Sequence, residues 1–148
     1  MSPDFPLRSL TTAVAIENGF TLDPLSTYAS LKERFDGESF LLESVEGTDK
    51  TARYSFIGVD PLHVFQSRGD TVCADGETHK ATNPFEMLRS RFGAFACGTS
   101  ELAPFSGGMV GYIGYGTVRY FEPVKGPSVG ESSFPDIYFV IPKHLVCF

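Results

Sequence analysis

Glu43 and Ser44 directly follow the apolar run Phe40-Leu41-Leu42, and Tyr54 and Ser55 directly precede a second one, Phe56-Ile57-Gly58. An apolar run that stops at a carboxylate and a hydroxyl reads as a buried strand delivering hydrogen-bonding side chains to a sheet edge or pocket. The second strand is expected over Arg53 to Val59, and Val45 to Ala52, with Glu46, Gly47, Thr48, Asp49 and Lys50, has the polar and glycine content of a hairpin connection. Antiparallel neighbours of this kind bring Glu43, Ser44, Tyr54 and Ser55 together over a hydrophobic floor, with the cation of Arg53 beside them. The chemistry suits an amino acid: carboxylate and hydroxyls for an ammonium group, the apolar floor for a side chain. The competing account is a hairpin whose polar residues only cap its strand ends.

Other chemistry finds little support. His63, His79 and His144 are widely spaced and lack the short-range partners of a metal site. Cys73, Cys97 and Cys147 are odd in number and without a Cys-x-x-Cys pair, so neither a disulfide framework nor a zinc site is indicated. No serine lies in a Gly-x-Ser-x-Gly elbow. Glu43 is the one carboxylate that could be considered as a general acid or base, and nothing beside it completes a catalytic set. The glycines of Gly107-Gly108-Met109-Val110-Gly111-Tyr112-Ile113-Gly114-Tyr115-Gly116 match neither a phosphate loop nor a dinucleotide fingerprint. They suit a tightly packed central strand whose glycines admit a close neighbour. Arg68-Gly69-Asp70 reads as a turn rather than an adhesion motif.

These stretches need elements to hold them. Residues 1 to 8 read as an extended lead-in, Leu10 to Ile16 as an edge strand, and Asn18-Gly19 as a turn. Asp23-Pro24 opens a helix as N-cap and first residue, with Leu25, Tyr28, Leu31 and Phe35 as its core-facing stripe and Gly37 beyond its end. Asp60-Pro61 is expected to break the strand before it. Leu62 to Gln66 and Thr71 to Ala74 form a further hairpin, followed by a tight turn at Asp75-Gly76. Asn83-Pro84 opens a second helix, with Phe85, Leu88 and Phe92 inward, Arg89 and Arg91 near its end and Gly93 beyond. Residues 94 to 105 are a loop, Thr117 to Glu122 a short helix, and 123 to 135 a loop. Pro135 to Ile141 is a strand, and Leu145 to Phe148 begins another. Because the sequence stops on apolar strand residues, a truncated chain or a partner surface on another chain is expected.

Composition narrows the class. The chain has 148 residues, enough for one domain with a real core. It is 42% hydrophobic and 20% charged, which excludes a disordered protein. Fourteen Phe and six Tyr favour sheets, giving a β-rich core. A net charge of -6 argues against a nucleic-acid partner. The longest apolar runs, such as Ile137 to Pro142, are far below the roughly 20 residues that span a bilayer, so no membrane partner is expected. Met1 to Pro6 lacks the basic region and apolar core of a secretory signal, which suggests a cytoplasmic location.

Four motifs in order carry a resemblance: Phe40-Leu41-Leu42-Glu43-Ser44; Arg53-Tyr54-Ser55-Phe56-Ile57-Gly58 with Asp60-Pro61; the glycine-rich stretch from Gly107 to Tyr115; and Val118-Arg119-Tyr120-Phe121-Glu122. Together with Asp23 to Tyr28 and Pro135 to Tyr138, they resemble the amino-terminal region of anthranilate synthase component I along nearly the whole chain. The pattern departs at Gly116, where relatives usually carry Asp. The resemblance implies an α+β class of antiparallel, sandwich-like sheets flanked by a few short helices. It implies the regulatory part of a lyase that makes anthranilate from chorismate in tryptophan biosynthesis, with ammonia from a glutamine amidotransferase subunit. It further implies that residues 1 to 148 pack on a carboxy-terminal chorismate-binding half that holds Mg2+ and the catalytic groups, so that no catalytic residue, metal ligand or cofactor is expected here. Carried over residue by residue, Leu42, Glu43, Ser44, Tyr54 and Ser55 become part of the L-tryptophan feedback site. Aminodeoxychorismate synthase component I shares much of this pattern, and a stand-alone amino-acid-binding domain is the alternative from another class.

Overall fold

The computed structural model describes residues 22–44, 54–93, 105–124 and 133–148. Two of its elements start where side chains supply the missing backbone partners of a first helical turn. The Asp23 carboxylate accepts from the N–H and the hydroxyl of Ser26, both at 2.8 Å, and Pro24 begins helix α1, Pro24–Arg34. The bond from the Ser26 N–H also holds the Asp23 carboxyl below its ordinary pKa. Asn83 repeats the device for α2, Pro84–Gly93: its side-chain oxygen accepts the N–H of Phe85 at 3.0 Å, and its carbonyl that of Glu86 at 3.2 Å.

Six strands make one sheet: β1 (Phe40–Leu42), β2 (Phe56–Arg68), β3 (Thr71–Ala74), β4 (Glu77–Lys80), β5 (Val110–Ile113) and β6 (Ile137–Cys147). The order is β4-β3-β2-β6-β5, with β1 added to β2 off this path. With its short helices, including a 3₁₀ helix over Tyr115–Tyr120, this is the expected α+β class with antiparallel pairing. The turns follow backbone chemistry. Gly69 (φ 57°) sits in the β2–β3 turn, and Asp75 (φ 53°) with Gly76 (φ 83°) makes the two-residue β3–β4 connection, the positive-φ pair that matches strand twist.

The described residues fall into two compact units. One comprises residues 63–93, 109–124 and 133–141. Its core is Phe65, Val72, Ala74 and Ile137, packed against Ala81, Phe85, Met87, Leu88, Met109 and Phe139. The register Phe65↔Ala74 and Ser67↔Val72 puts these side chains on one sheet face, and α2 brings Phe85 and Leu88 to it. The other unit comprises residues 22–44, 54–62, 105–108 and 142–148, and buries Ile57 and Val59 of β2.

Several expectations need correction. Asp60-Pro61 does not end its strand: β2 continues from Phe56 to Arg68, with Asp60 in a left-handed conformation (φ 57°) that absorbs the irregularity. Pro142 likewise lies inside β6, so the two strands expected over Pro135 to Ile141 and Leu145 to Phe148 are one. The Val110 strand is not central. β5 ends the strand order and three of its four residues are exposed, although Gly111 does admit a close neighbour, since a Cβ there would overlap the carbonyl oxygen of Tyr138. The α1 stripe is only partly inward, with Leu25 59% exposed and no residue of the helix buried. Nor is β1 buried: Phe40 and Leu41 are half-buried, and Leu42 is 44% exposed. The 3₁₀ helix begins at Tyr115 rather than Thr117, where the Thr117 hydroxyl and N–H both bond to the Gly114 carbonyl. The expected lead-in, the Leu10 to Ile16 strand, the Asn18-Gly19 turn, the Val45 to Ala52 loop and Arg53 lie outside the described residues, as do 94–104 and 125–132.

Candidate functional site

β1 and β2 pair antiparallel, Phe40 opposite Gly58, Leu41 opposite Ile57 and Leu42 opposite Phe56. The Phe40 ring covers Gly58, where a Cβ would displace it. The ladder ends at Leu42 and Phe56, so Glu43 and Ser44 follow one strand at the end where Tyr54 and Ser55 precede the other. Ser55 uses its backbone N–H and carbonyl to bond Phe148 at 3.0 and 2.9 Å.

The five expected site residues thus gather at one end of the β1–β2 ladder. Glu43 and Ser44 are exposed, Tyr54 is 39% exposed and Ser55 half-buried, so the arrangement is an open surface. Its aromatic component was not legible beforehand. Tyr54 stacks on Phe56 with ring centres 6.2 Å apart, and Phe56 meets Phe105 edge-on at 5.5 Å. Phe105 adjoins the glycine-rich motif, where it lies against Gly108 (φ 138°). The i, i+2 spacing of Tyr54 and Phe56 was the available signal; the contact with Phe105 is too distant in sequence to read.

Histidines and carboxylates form pairs rather than a metal centre. His63 Nδ1 lies 2.8 Å from Asp75 Oδ2, His79 lies 3.6 Å from Glu77, and His144 Nε2 lies 3.5 Å from Asp60 Oδ2. Among the described residues, no three His, Cys, Asp or Glu side chains converge as a metal site. Asp75 also accepts from the Val64 N–H at 3.0 Å and faces Arg91 Nη1 at 2.8 Å. Partial burial pushes its carboxyl pKa up, but the bonds from His63 and Val64 and the charges of His63 and Arg91 outweigh this and hold it below the ordinary value. Asp136 is a second anchor: it accepts from the Gly69 N–H at 2.7 Å and pairs with Arg119 at 3.0 Å, while the Tyr120 hydroxyl donates to the Gly69 carbonyl. Cys73 and Cys147 are free, and burial raises the Cys147 thiol. Among the described residues, no helix is long and apolar enough to cross a membrane.

No family model matches the chain. Individual curated proteins do. Anthranilate synthase component 1 of Acinetobacter calcoaceticus is 35% identical over 136 residues, covering 84% of this chain and 27% of that protein. The same-named proteins of Acetivibrio thermocellus and Thermus thermophilus are 33% and 34% identical over 84% of this chain, and 26% and 27% of theirs. A crystal structure of anthranilate synthase component I from Streptococcus pneumoniae TIGR4 shares the fold, with a TM-score of 0.55 at 20% identity, over 93% of this chain and 29% of that one. The chain spans about a quarter of the length of the curated relatives it matches. Over most of its own length, then, this chain is a homologue of one part of anthranilate synthase component 1.

Proposed function

We propose that this chain forms the amino-terminal, amino-acid-sensing part of an anthranilate synthase component I, and that Leu42, Glu43, Ser44, Tyr54 and Ser55 contribute to its tryptophan feedback site. The observation that carries the reading is the β1–β2 register, which leads Glu43 and Ser44 to Ser55 and Tyr54 in a chain similar to that enzyme over 84% of its length. Glu43 and the hydroxyls of Ser44 and Ser55 supply acceptors for an ammonium group, and Leu42 with the ring of Tyr54 supplies apolar surface. A site this open leaves most of a ligand wet, so the isolated chain is expected to bind weakly and a second wall to come from the rest of the enzyme.

On this reading the conversion of chorismate and ammonia to anthranilate takes place elsewhere. The remaining three quarters of the enzyme would hold chorismate and Mg2+, and a glutamine amidotransferase subunit would supply the ammonia. No residue of this chain is assigned a catalytic role, and the chain alone is expected to be inactive. Inhibitor binding that favours one of two enzyme states by about 1 to 3 kcal/mol would change substrate affinity roughly 5- to 150-fold.

Calorimetric titration of L-tryptophan into the chain, with and without the remainder of component 1 as a separate polypeptide, tests the reading. Saturable binding that tightens when the two are combined and is lost in Ser44→Ala supports it. Absence of binding to a reassembled, catalytically active pair would overturn it.

A further inference from the structure

β2 and β6 are hydrogen-bonded near both ends of their shared ladder. Ser55 and Phe148 exchange N–H to carbonyl bonds at 3.0 and 2.9 Å, and the Asp136 N–H donates to the Ser67 carbonyl at 2.7 Å. Ser55 is as far along the chain from Ser67 as Asp136 is from Phe148, so both ends share one antiparallel register. That register sets Pro61 opposite Pro142. Bonded and non-bonded pairs alternate along an antiparallel ladder, and the 61/142 pair falls in the same bonded phase as 55/148 and 67/136. Neither proline has an N–H, so both ladder bonds of this pair are deleted. Asp60, next to the break, takes the left-handed conformation, and its carboxylate meets Lys143 Nζ at 3.1 Å and His144 Nε2 at 3.5 Å, side-chain links where backbone links are missing.

We propose that the Pro61–Pro142 pair divides the β2–β6 ladder into two segments that open separately. A continuous ladder transmits opening along its length because each bonded pair fixes the next; a pair with no donors removes that coupling. The segment containing Ile57 and Val59 can then open while Phe65, Val72 and Ile137 stay packed. This inference is independent of any ligand at Ser44 or Tyr54.

Native-state hydrogen exchange of the chain, resolved by residue and followed through low urea concentrations, tests it. The amides of Ile57, Val59, His144 and Val146 should share one opening equilibrium, and those of His63, Phe65, Tyr138 and Val140 another, the two differing by about tenfold or more in exchange rate. In the Pro61→Ala, Pro142→Ala double variant, which restores both donors, the two sets should converge. One common opening curve for all eight amides in the unaltered chain refutes the division, whether or not the double variant folds. Two sets that stay equally far apart in a folded double variant refute the role of the prolines.

Discussion

Replacing Asp75 by asparagine, glycine and alanine separates three contributions that converge on one turn. The side chain accepts the Val64 N–H at 3.0 Å, lies 2.8 Å from both His63 Nδ1 and Arg91 Nη1, and belongs to a residue with φ 53°. The backbone bond contributes about 1 kcal/mol. The two partly exposed ionic contacts contribute roughly 0.5 kcal/mol each after solvent screening. A left-handed conformation costs an alanine about 1 kcal/mol more than a glycine, whereas asparagine tolerates it. Asp75→Asn keeps the acceptor and the conformation and should cost about 1 kcal/mol; Asp75→Gly loses every side-chain contact and should cost about 2; Asp75→Ala adds strain and should cost about 3. Urea unfolding at neutral pH measures the series. An asparagine variant as unstable as the alanine variant, or glycine and alanine variants of equal stability, would refute the reasoning. The same carboxyl gives a pH signature. Its pKa is depressed in the folded state, so its contribution is present above the ordinary value of 3.8 and is lost as pH falls through the lower folded value. Asp75→Asn should remove that part of the acid destabilisation.

Gly111→Ala forces a Cβ into the Tyr138 carbonyl and to 2.8 Å from the Phe139 Cα, backbone that cannot yield locally; a loss of about 3 kcal/mol in urea unfolding is expected. Gly93→Ala meets nothing within 4 Å and should stay within about 0.5 kcal/mol of the parent, which makes it the control. Gly58→Ala displaces only the Phe40 ring, so a cost of about 1 to 2 kcal/mol is expected, with faster amide exchange at Phe40 and Leu42 as β1 loosens; unchanged exchange there would contradict the covering role of the ring. Asn83→Ala removes the cap from α2 and should cost about 1 kcal/mol, whereas Asn83→Asp should be nearly neutral, as read by thermal unfolding.

What was legible in the sequence is what short-range chemistry decides. Asp23-Pro24 and Asn83-Pro84 start helices because capping acceptor and fixed φ lie within one turn of each other. Asp75-Gly76 makes a hairpin turn because its residues accept positive φ. A β-rich core followed from the aromatic content and strand-forming stretches, and the α+β class from the family resemblance. The antiparallel pairing of Phe40–Leu42 with Phe56–Gly58 was foreseen from two apolar runs flanking a polar connection.

The errors share one cause, since each turned on a partner remote in sequence. Asp60-Pro61 read as the end of a strand, yet β2 runs through it, and β6 likewise runs through Pro142. The β5 glycines suggested a central strand, but a place in a sheet is set by how many strands pair beyond it, which the local sequence does not encode. The sequence by itself determined helix starts, turn types, a β-rich core and the residues offered at the β1–β2 end, because these depend on conformational preference and contacts within a few residues. Only the tertiary structure decided strand order, register and burial, because pairing and packing between segments distant in sequence place each strand and each side chain.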